Sequence, residues 1–80
     1  MSDMRAIGKM IRFHRKLAKL SQLELAKLSG VGKTAVFDVE SGKETVRLST
    51  LMKIVKTLNI SIKFNSPLMN LFEKEEDEKS

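Results

Sequence analysis

Apolar residues recur every three or four positions near the start of the chain, which predicts an amphipathic helix from Asp3 to Leu20. Its apolar face carries Ile7, Met10, Ile11, Leu17 and Ala18, with His14 among them. Its opposite face carries a stripe of basic residues, Arg5, Lys9, Arg12, Lys16 and Lys19. The stripe predicts either a solvated helix surface or one that contacts phosphate groups. His14 is interpreted as either a core histidine or a functional one.

The string LAKLS occurs twice, inside the run LAKLSQLELAKLSG. In the first copy, Ser21 precedes Glu24 by three residues, which is the spacing of a helix capping box. The second copy is followed by Gly30, the residue type favoured where the chain turns left-handed after a helix. The copies therefore predict the start and the end of one short helix, about Gln22 to Ser29, rather than an internal repeat. Its predicted packing positions are Leu25, Ala26 and Leu28.

A glycine-containing turn leads into a third helix, predicted to begin at Gly32 and closed by Gly42. Val36 and Val39 are placed to face inward on it. Two helices of about eight residues joined by a short turn that contains glycine form the sequence outline of a helix-turn-helix. A fourth helix is predicted with Ser49 as its cap and Asn59 as its end. Its predicted core positions are Leu51, Met52, Val55 and Leu58.

Residues 60–65 alternate between apolar and polar side chains, which predicts a β-strand with Ile60, Ile62 and Phe64 on one face. No second strand is predicted, so the backbone groups of this one lack a partner in the same chain. We therefore predict that two copies of the chain pair this strand across a two-fold axis. Residues 1–66 are interpreted as one helix-turn-helix and dimerisation domain, and residues 67–80 as an acidic, flexible tail.

Composition and charge narrow the class of protein. The chain has 80 residues, which suits one small core, and it has no cysteine and one histidine, so a metal site is not expected. Residues 1–72 carry 13 basic against 5 acidic side chains, a net charge of +8, whereas residues 73–80 carry 2 against 5, a net charge of −3. A basic body indicates an anionic partner, either nucleic acid or a membrane surface. Its four phenylalanines, with no Trp or Tyr, are too few to favour a single-strand stacking platform.

Other classes of function find little support in the chain. No apolar run approaches the ~20 residues of a membrane span, and the first residues do not resemble a secretory signal, so we expect a cytoplasmic protein with no membrane partner. The sequence shows no nucleophile paired with a base, no Walker-type loop and no cluster of metal ligands. We therefore expect neither enzymatic activity nor a cofactor.

The stretch from Ile11 to Leu58 resembles the Cro and phage-repressor type of helix-turn-helix domain. The residues that carry the resemblance are Arg15, Ser21, Gln22, Leu25, Ala26, Gly30, Val31, Val36, Val39, Glu40, Ser41, Gly42 and Leu51. Within that family the chain is most similar in design to HipB-like antitoxins and transcriptional regulators, in which a short strand follows the domain. The resemblance implies an all-α fold of four to five helices, like that of lambda repressor, with the C-terminal strand paired across a homodimer.

The resemblance also implies roles for individual residues. The helix that begins at Gly32 would be the recognition helix, inserted in the major groove of DNA. On it, Lys33 would donate to guanine, and Thr34 and Phe37 would contact a thymine methyl group. Asp38 would accept a hydrogen bond from cytosine. The backbone-phosphate contacts would come from Gln22, Lys43 and Arg47, and the structural ion pair would join Arg15 to Glu40.

Two positions depart from the family pattern. Gly32 stands where relatives often carry Ser or Thr, which removes a side-chain cap. Phe37 stands at a position that is usually polar, and it is interpreted either as a base contact or as packed inward against Val31.

The function that best fits the sequence is a sequence-specific repressor that binds an inverted-repeat operator in double-stranded DNA as a homodimer, and that serves as the antitoxin of a HipA-like toxin kinase. The alternatives are a stand-alone phage-type repressor and a protein-interaction or RNA-associated module that has lost DNA readout. The acidic tail is interpreted as solvating and disordered, as a toxin contact, or as a segment that folds back on the basic body.

Overall fold

The fold is seen in a computed structural model that describes residues 3–79, and the flanking residues of the predicted domain and tail (1, 2 and 80) lie outside the described part. Five α-helices make up this part of the chain: α1 Asp3–Leu17, α2 Gln22–Ser29, α3 Lys33–Glu40, α4 Leu48–Thr57 and α5 Met69–Lys79. The predicted all-α class and the order of the helices are confirmed.

The ends of α2 follow from local chemistry. The Glu24 backbone N–H donates to Ser21 Oγ at 3.0 Å, and the Ser21 N–H donates to Glu24 Oε1 at 2.9 Å, which together form the predicted capping box. Hydrogen bonding of the Glu24 carboxylate to the Ser21 backbone N–H, and next to the Ser21 side chain, lowers the pKa of this carboxyl below its ordinary value. At the other end, Gly30 adopts a left-handed conformation with φ 74°. Its N–H donates to the Ala26 and Lys27 carbonyls and so caps the helix.

A single core lies between α1, α2, α3 and α4. Its fully buried side chains, with relative exposure below 2 %, come mainly from the centre of each helix. They are Ile11, Leu25, Ala26, Val36, Val39 and Ile54. Leu20, Val31 and Leu58 pack against this core from the loops and helix ends. This small core packs against the inner sides of α2 and α3, and the outer sides of these two helices remain exposed.

Several predicted packing positions are wrong. Leu28 is 64 % exposed, because the short α2 turns only Leu25 and Ala26 toward the core. In α4 the buried face is centred on Leu51, Ile54 and Val55, so Ile54 was missed and Met52, at 37 % exposed, lies at the edge of that face.

The predicted ends of α1 and α4 also need correction. α1 ends at Leu17 rather than Leu20, since Lys19 adopts a left-handed backbone with φ 60°, and Leu17 is consequently 68 % exposed. α4 begins at Leu48 with Arg47 at its cap position, so Ser49 lies within the first turn and does not cap the helix. The predicted end of α4 is confirmed, because Asn59 adopts φ 59° directly after Leu58.

The segment between α4 and α5 is not a strand in this chain. Residues 60–66 are irregular, and no strand occurs among residues 3–79. The Ile60 N–H donates to the Val55 carbonyl at 2.8 Å, so this backbone group is hydrogen-bonded to α4 and not to a neighbouring β-strand. A single chain offers this segment no second strand with which to pair. The acidic tail, for which a disordered chain was one interpretation, forms helix α5, none of whose residues is buried.

Candidate nucleic-acid interface

The outer side of α3 is a continuous exposed surface. Val36 and Val39 are fully buried, so the side chains of Lys33, Thr34 and Phe37 point away from the core and are exposed. These three residues and Gln22, from the first turn of α2, line one shallow depression. The fold thus brings together four of the residues predicted from the sequence to contact DNA.

Phe37 lies on this outer surface. It is 56 % exposed, so the alternative in which it packs inward against Val31 does not occur. Val31 packs against the core without it. An exposed aromatic ring on a helix surface that is otherwise polar is available to contact a base edge or a thymine methyl group.

Gly32 stands immediately before α3 in an extended conformation, with φ −76° and ψ 154°. It provides no side-chain hydrogen bond to the first turn, as its residue type requires. A Cβ atom at this position would meet nothing within 4 Å. The position is therefore open on the outer surface, and the first turn of α3 is accessible from solvent.

A buried ion pair fixes the end of α3 against α1. Arg15 Nε donates to Glu40 Oε2 at 2.6 Å and Arg15 Nη2 donates to Glu40 Oε1 at 3.0 Å, which makes the pair bidentate. The two side chains are only 10 % and 4 % exposed. The hydrogen bond to Glu40 raises the pKa of Arg15, against the opposing effect of burial.

Two further hydrogen bonds extend this ion pair. Arg15 Nη1 donates to the Leu20 carbonyl at 2.9 Å, and Gln22 Nε2 donates to Glu40 Oε1 at 3.3 Å. The Gln22 side chain is therefore already attached to α3, and one of its two amide hydrogens remains for another acceptor. This network sets how α2 and α3 sit relative to α1, and so how the exposed side of α3 is presented.

Gly8 brings α1 and α3 into close contact, and the sequence analysis did not single it out. It is buried, and a Cβ atom there would lie 2.8 Å from the Glu40 carbonyl oxygen and also meet that of Val39. Any larger residue would push the end of α3 away from α1. A glycine in the interior of an otherwise amphipathic helix, one residue after Ile7, was the available signal.

The other predicted contact residues lie in the last turn of α3, as Asp38 does, or in the loop that follows it, as Lys43 and Arg47 do. Lys43 Nζ is 3.5 Å from Asp38 Oδ2, and the Asp38 side chain is 27 % exposed. The Asp38 carboxylate therefore faces the loop after α3, where a lysine offsets its charge, and it does not line the depression with Lys33. Arg47 is exposed at the cap position of α4, in the same connection.

The fold has known relatives. The family profile described as Helix-turn-helix matches residues 11–65, which is more than half of the chain. The chain belongs to the helix-turn-helix family. A related protein, the HTH-type transcriptional regulator y4mF of Sinorhizobium fredii, is 38% identical over 61 residues, covering 76% of this chain and 80% of the relative. This helix-turn-helix chain thus resembles a transcriptional regulator over most of its length.

Solved structures agree with this membership. The restriction-modification controller protein C.AhdI from Aeromonas hydrophila has a TM-score of 0.68 and 34% identity, over 76% of this chain and 92% of that one. HipB in the HipA-HipB-O2-O3 complex has a TM-score of 0.74 at 21% identity, over 84% of this chain and 94% of that one. The HipB likeness shows that this helix-turn-helix chain shares the HipB fold.

Within residues 3–79, no helix is long and apolar enough to cross a membrane. The same part of the chain holds no group of three or more His, Cys, Asp or Glu side chains placed to bind a metal ion.

Proposed function

We propose that this protein is a sequence-specific transcriptional regulator that binds double-stranded DNA as a homodimer at an inverted repeat and represses transcription there. The observation that carries the proposal is the outer surface of α3, where Lys33, Thr34 and Phe37 are exposed beside Gln22. The major groove, about 12 Å wide, admits a helix and presents a different pattern of donors and acceptors for each base pair.

Each exposed residue on α3 has a chemistry suited to base edges. The Lys33 ammonium donates to guanine O6 and N7, and the Thr34 methyl and the Phe37 ring contact a thymine methyl group. The Asp38 carboxylate can accept a hydrogen bond from a cytosine amino group, but it is repelled by the DNA phosphates. Its pairing with Lys43 reduces that repulsion.

The remaining contacts are with the DNA backbone. Lys43 and Arg47 follow α3 in the chain and are exposed, so they reach phosphates on the flank of the groove. The Lys43–Asp38 pair is at the surface, and such pairs are weak, so Lys43 can exchange its carboxylate for a phosphate at little cost. Gln22 and the open first turn of α3 at Gly32 add donors on the other flank.

The homodimer is proposed to form through the segment after α4. Ile62 is 37 % exposed and Phe64 is 77 % exposed, while Ile60 packs on the core at the start of this segment. Between Ile60 and the first turn of α5, none of the backbone N–H groups of residues 61–65 donates a hydrogen bond within the described chain. A second copy would cover both the apolar side chains and the free backbone groups, and would place two recognition helices about 34–36 Å apart.

An antitoxin role, with a HipA-like toxin kinase as partner, is the second candidate. It is supported by exposed apolar side chains on α1: Phe13 is 60 % exposed and Leu17 is 68 % exposed. These side chains stand among the basic residues of α1 and offer a protein-binding surface compatible with bound DNA. Co-purification of the chain with the product of an adjacent toxin gene, and loss of that complex in Phe13→Glu, would distinguish an antitoxin from a stand-alone repressor.

Selection from a random duplex library tests the proposal. We expect the retained fragments to share an inverted repeat with half-sites about 10–10.5 base pairs apart, centre to centre. The Lys33→Ala variant should retain fragments in which preference is lost at one base pair of each half-site. As a matched control, Lys27→Ala changes an exposed lysine of α2 that is not among the proposed contacts, and it should select the wild-type sequence. Retention of fragments with no shared sequence would overturn sequence-specific binding.

A further inference from the structure

Helix α5 projects from the body of the molecule. It has 11 residues, and none of them is buried. The radius of gyration is 15.0 Å, and the longest dimension is 44 Å against 29 and 23 Å for the others. A compact chain of this length would have a radius of gyration of about 12 Å. An isolated helix shorter than about 12–15 residues is marginal in water, so α5 needs a surface to pack against.

One side of α5 is suited to such packing. Leu68, directly before the helix, and Leu71 and Phe72 within it are spaced at steps of three and one, which places them on one stripe at its start. They are 67 %, 61 % and 58 % exposed. Asn70 lies on the opposite side of the helix, and charged residues follow from Glu73 onward. The helix thus has an apolar start and an acidic end.

A groove of complementary character lies on the body. α1 contributes Met4, Ile7 and Met10 to it, and α4 contributes Leu48, Leu51 and Val55. Residues 61–64 form its remaining side, and its volume is about 480 Å³. Phe64 lines both this groove and the adjacent surface that contains Leu68, Met69 and Phe72. The apolar groove is therefore continuous with the proposed dimer segment and with the base of α5.

Charge also matches between the groove and α5. Residues 73–79 carry five acidic and two basic side chains, a net charge of −3, and Lys79 is paired with Glu75 at 2.9 Å within the helix. On the body, Lys63 lines the groove. The acidic end of α5 is thus attracted to the side of the groove that carries Lys63.

We propose that α5 of one protomer docks in this groove of a second copy, so that the two subunits exchange their C-terminal helices. The inference rests on the homodimer proposed above and extends it to a second contact. If residues 60–64 meet at the two-fold axis, the partner's α5 begins beside the groove. In its own chain, α5 has no buried residue, and Met69 and Phe72 at its start line only a shallow surface together with Phe64. An exchange would bury the apolar stripe of α5 and explain how so short a helix is stable.

The absence of cysteine makes crosslinking a specific test. Leu48 and Leu71 are 63 % and 61 % exposed, so Leu48→Cys and Leu71→Cys leave the core intact. The full chain carrying both changes is treated with a short bismaleimide and separated under denaturing conditions. We expect covalent dimers. Mixing the two single variants, one with a size tag, should give the crosslinked heterodimer. The control pair, Leu48→Cys with Asn70→Cys, reports from the opposite side of α5 and should crosslink much less.

The outcomes separate the exchange from the other proposals, with sedimentation run on the untreated proteins. A crosslink within one chain would show that α5 docks in its own groove and would overturn the exchange. No crosslink in a protein that sediments as a dimer would overturn the exchange while leaving the homodimer in place. A monomer by sedimentation would overturn the homodimer and the exchange together.

A second measurement tests the apolar stripe. Phe72→Glu puts a charge into the proposed contact and should raise the dimer dissociation constant at least about tenfold, the effect of losing one buried aromatic side chain. Asn70→Glu adds the same charge on the opposite side of α5 and should leave the constant unchanged. Equal effects of the two variants would overturn the assignment of this stripe to the contact.

Discussion

At the scale of single residues, the two lysines around α3 have different surroundings. Lys33 is exposed on the first turn and lines the depression with Thr34 and Phe37. Lys43 follows the helix and is paired with Asp38 at 3.5 Å. A base-reading role suits the first position and a phosphate-binding role suits the second, because only the first lies on the outer surface of the proposed recognition helix.

Replacing these lysines should separate base readout from backbone contact. Lys33→Ala is expected to weaken binding to the specific site by about 1–3 kcal/mol and to relax preference at one base pair per half-site. Lys43→Ala is expected to weaken binding to all sequences about equally. Fluorescence anisotropy on specific and random duplexes measures both. If both variants lose the same affinity on both duplexes, Lys33 does not read bases.

The capping box makes the stability of α2 depend on pH. The pKa of the Glu24 carboxyl is lowered by its hydrogen bonds with Ser21. The stability that the charged carboxylate adds to the fold is therefore fully present above the ordinary pKa of 4.5 and is lost as the pH falls through the lowered pKa. Glu24→Ala should therefore lower the unfolding temperature at neutral pH, and the difference from wild type should shrink in acid.

Ser21→Ala provides the comparison for this pH dependence. It removes the cap itself and should cost about 1 kcal/mol at neutral pH. Thermal unfolding followed by circular dichroism at several pH values measures both variants. If the difference in unfolding temperature between Glu24→Ala and wild type stays constant down to the most acidic pH, the titration of Glu24 does not contribute to the stability of the fold.

At the scale of helices, a helix end could be predicted where the residues that cap it are close together in the sequence. The capping box and Gly30 depend on residues within one turn of each other, so both ends of α2 could be read from the sequence. The start of α4 could not, since Arg47 caps it without a side-chain hydrogen bond while Ser49 suggested a start two residues later. The close contact at Gly8 was missed because it depends on how α3 lies across α1.

The strand prediction shows a different limit. Alternation over residues 60–65 reports which side chains share a face, but a strand also needs a second backbone. The exposure of Lys33, Thr34 and Phe37 could be predicted because it follows from the outer positions of one short helix. The pairing of Asp38 with Lys43 could not, since it depends on the loop after α3.

The pair between Arg15 and Glu40 is expected to set the orientation of α3. Glu40→Ala leaves a guanidinium that is only 10 % exposed without its carboxylate, and should destabilise the fold by about 3–5 kcal/mol. The double variant Arg15→Met with Glu40→Met removes both charges and should recover most of that loss. Urea denaturation measures both. If the double variant is no more stable than Glu40→Ala, the cost does not come from an unpaired buried charge.

At the scale of the whole molecule, function is proposed to depend on two copies. Ile62 and Phe64, in the segment after α4, have exposed apolar side chains and are not part of the core of the single chain. Pairing two copies would double the phosphate contacts and fix the spacing of the two recognition helices.

Ile62→Lys tests this dependence. Ile62 is 37 % exposed in the single chain, so the charge should be tolerated in the monomer but not in a dimer that buries this position. We expect a folded monomer with little affinity for the inverted repeat. Asn65→Lys adds the same charge at an exposed polar position of the same segment and serves as the control. A dimeric Ile62→Lys protein with normal DNA affinity would place the interface elsewhere.

The central claim is that the basic body binds double-stranded DNA, and the salt dependence of that binding tests it most directly. If Lys43 and Arg47 of two subunits neutralise about four phosphates, the slope of log affinity against log salt is about −0.9 for each phosphate, or about −3.6 in all. The dissociation constant for the selected inverted repeat should then rise about a hundredfold between about 50 and 200 mM salt. A dissociation constant that does not change over this range would contradict DNA as the partner.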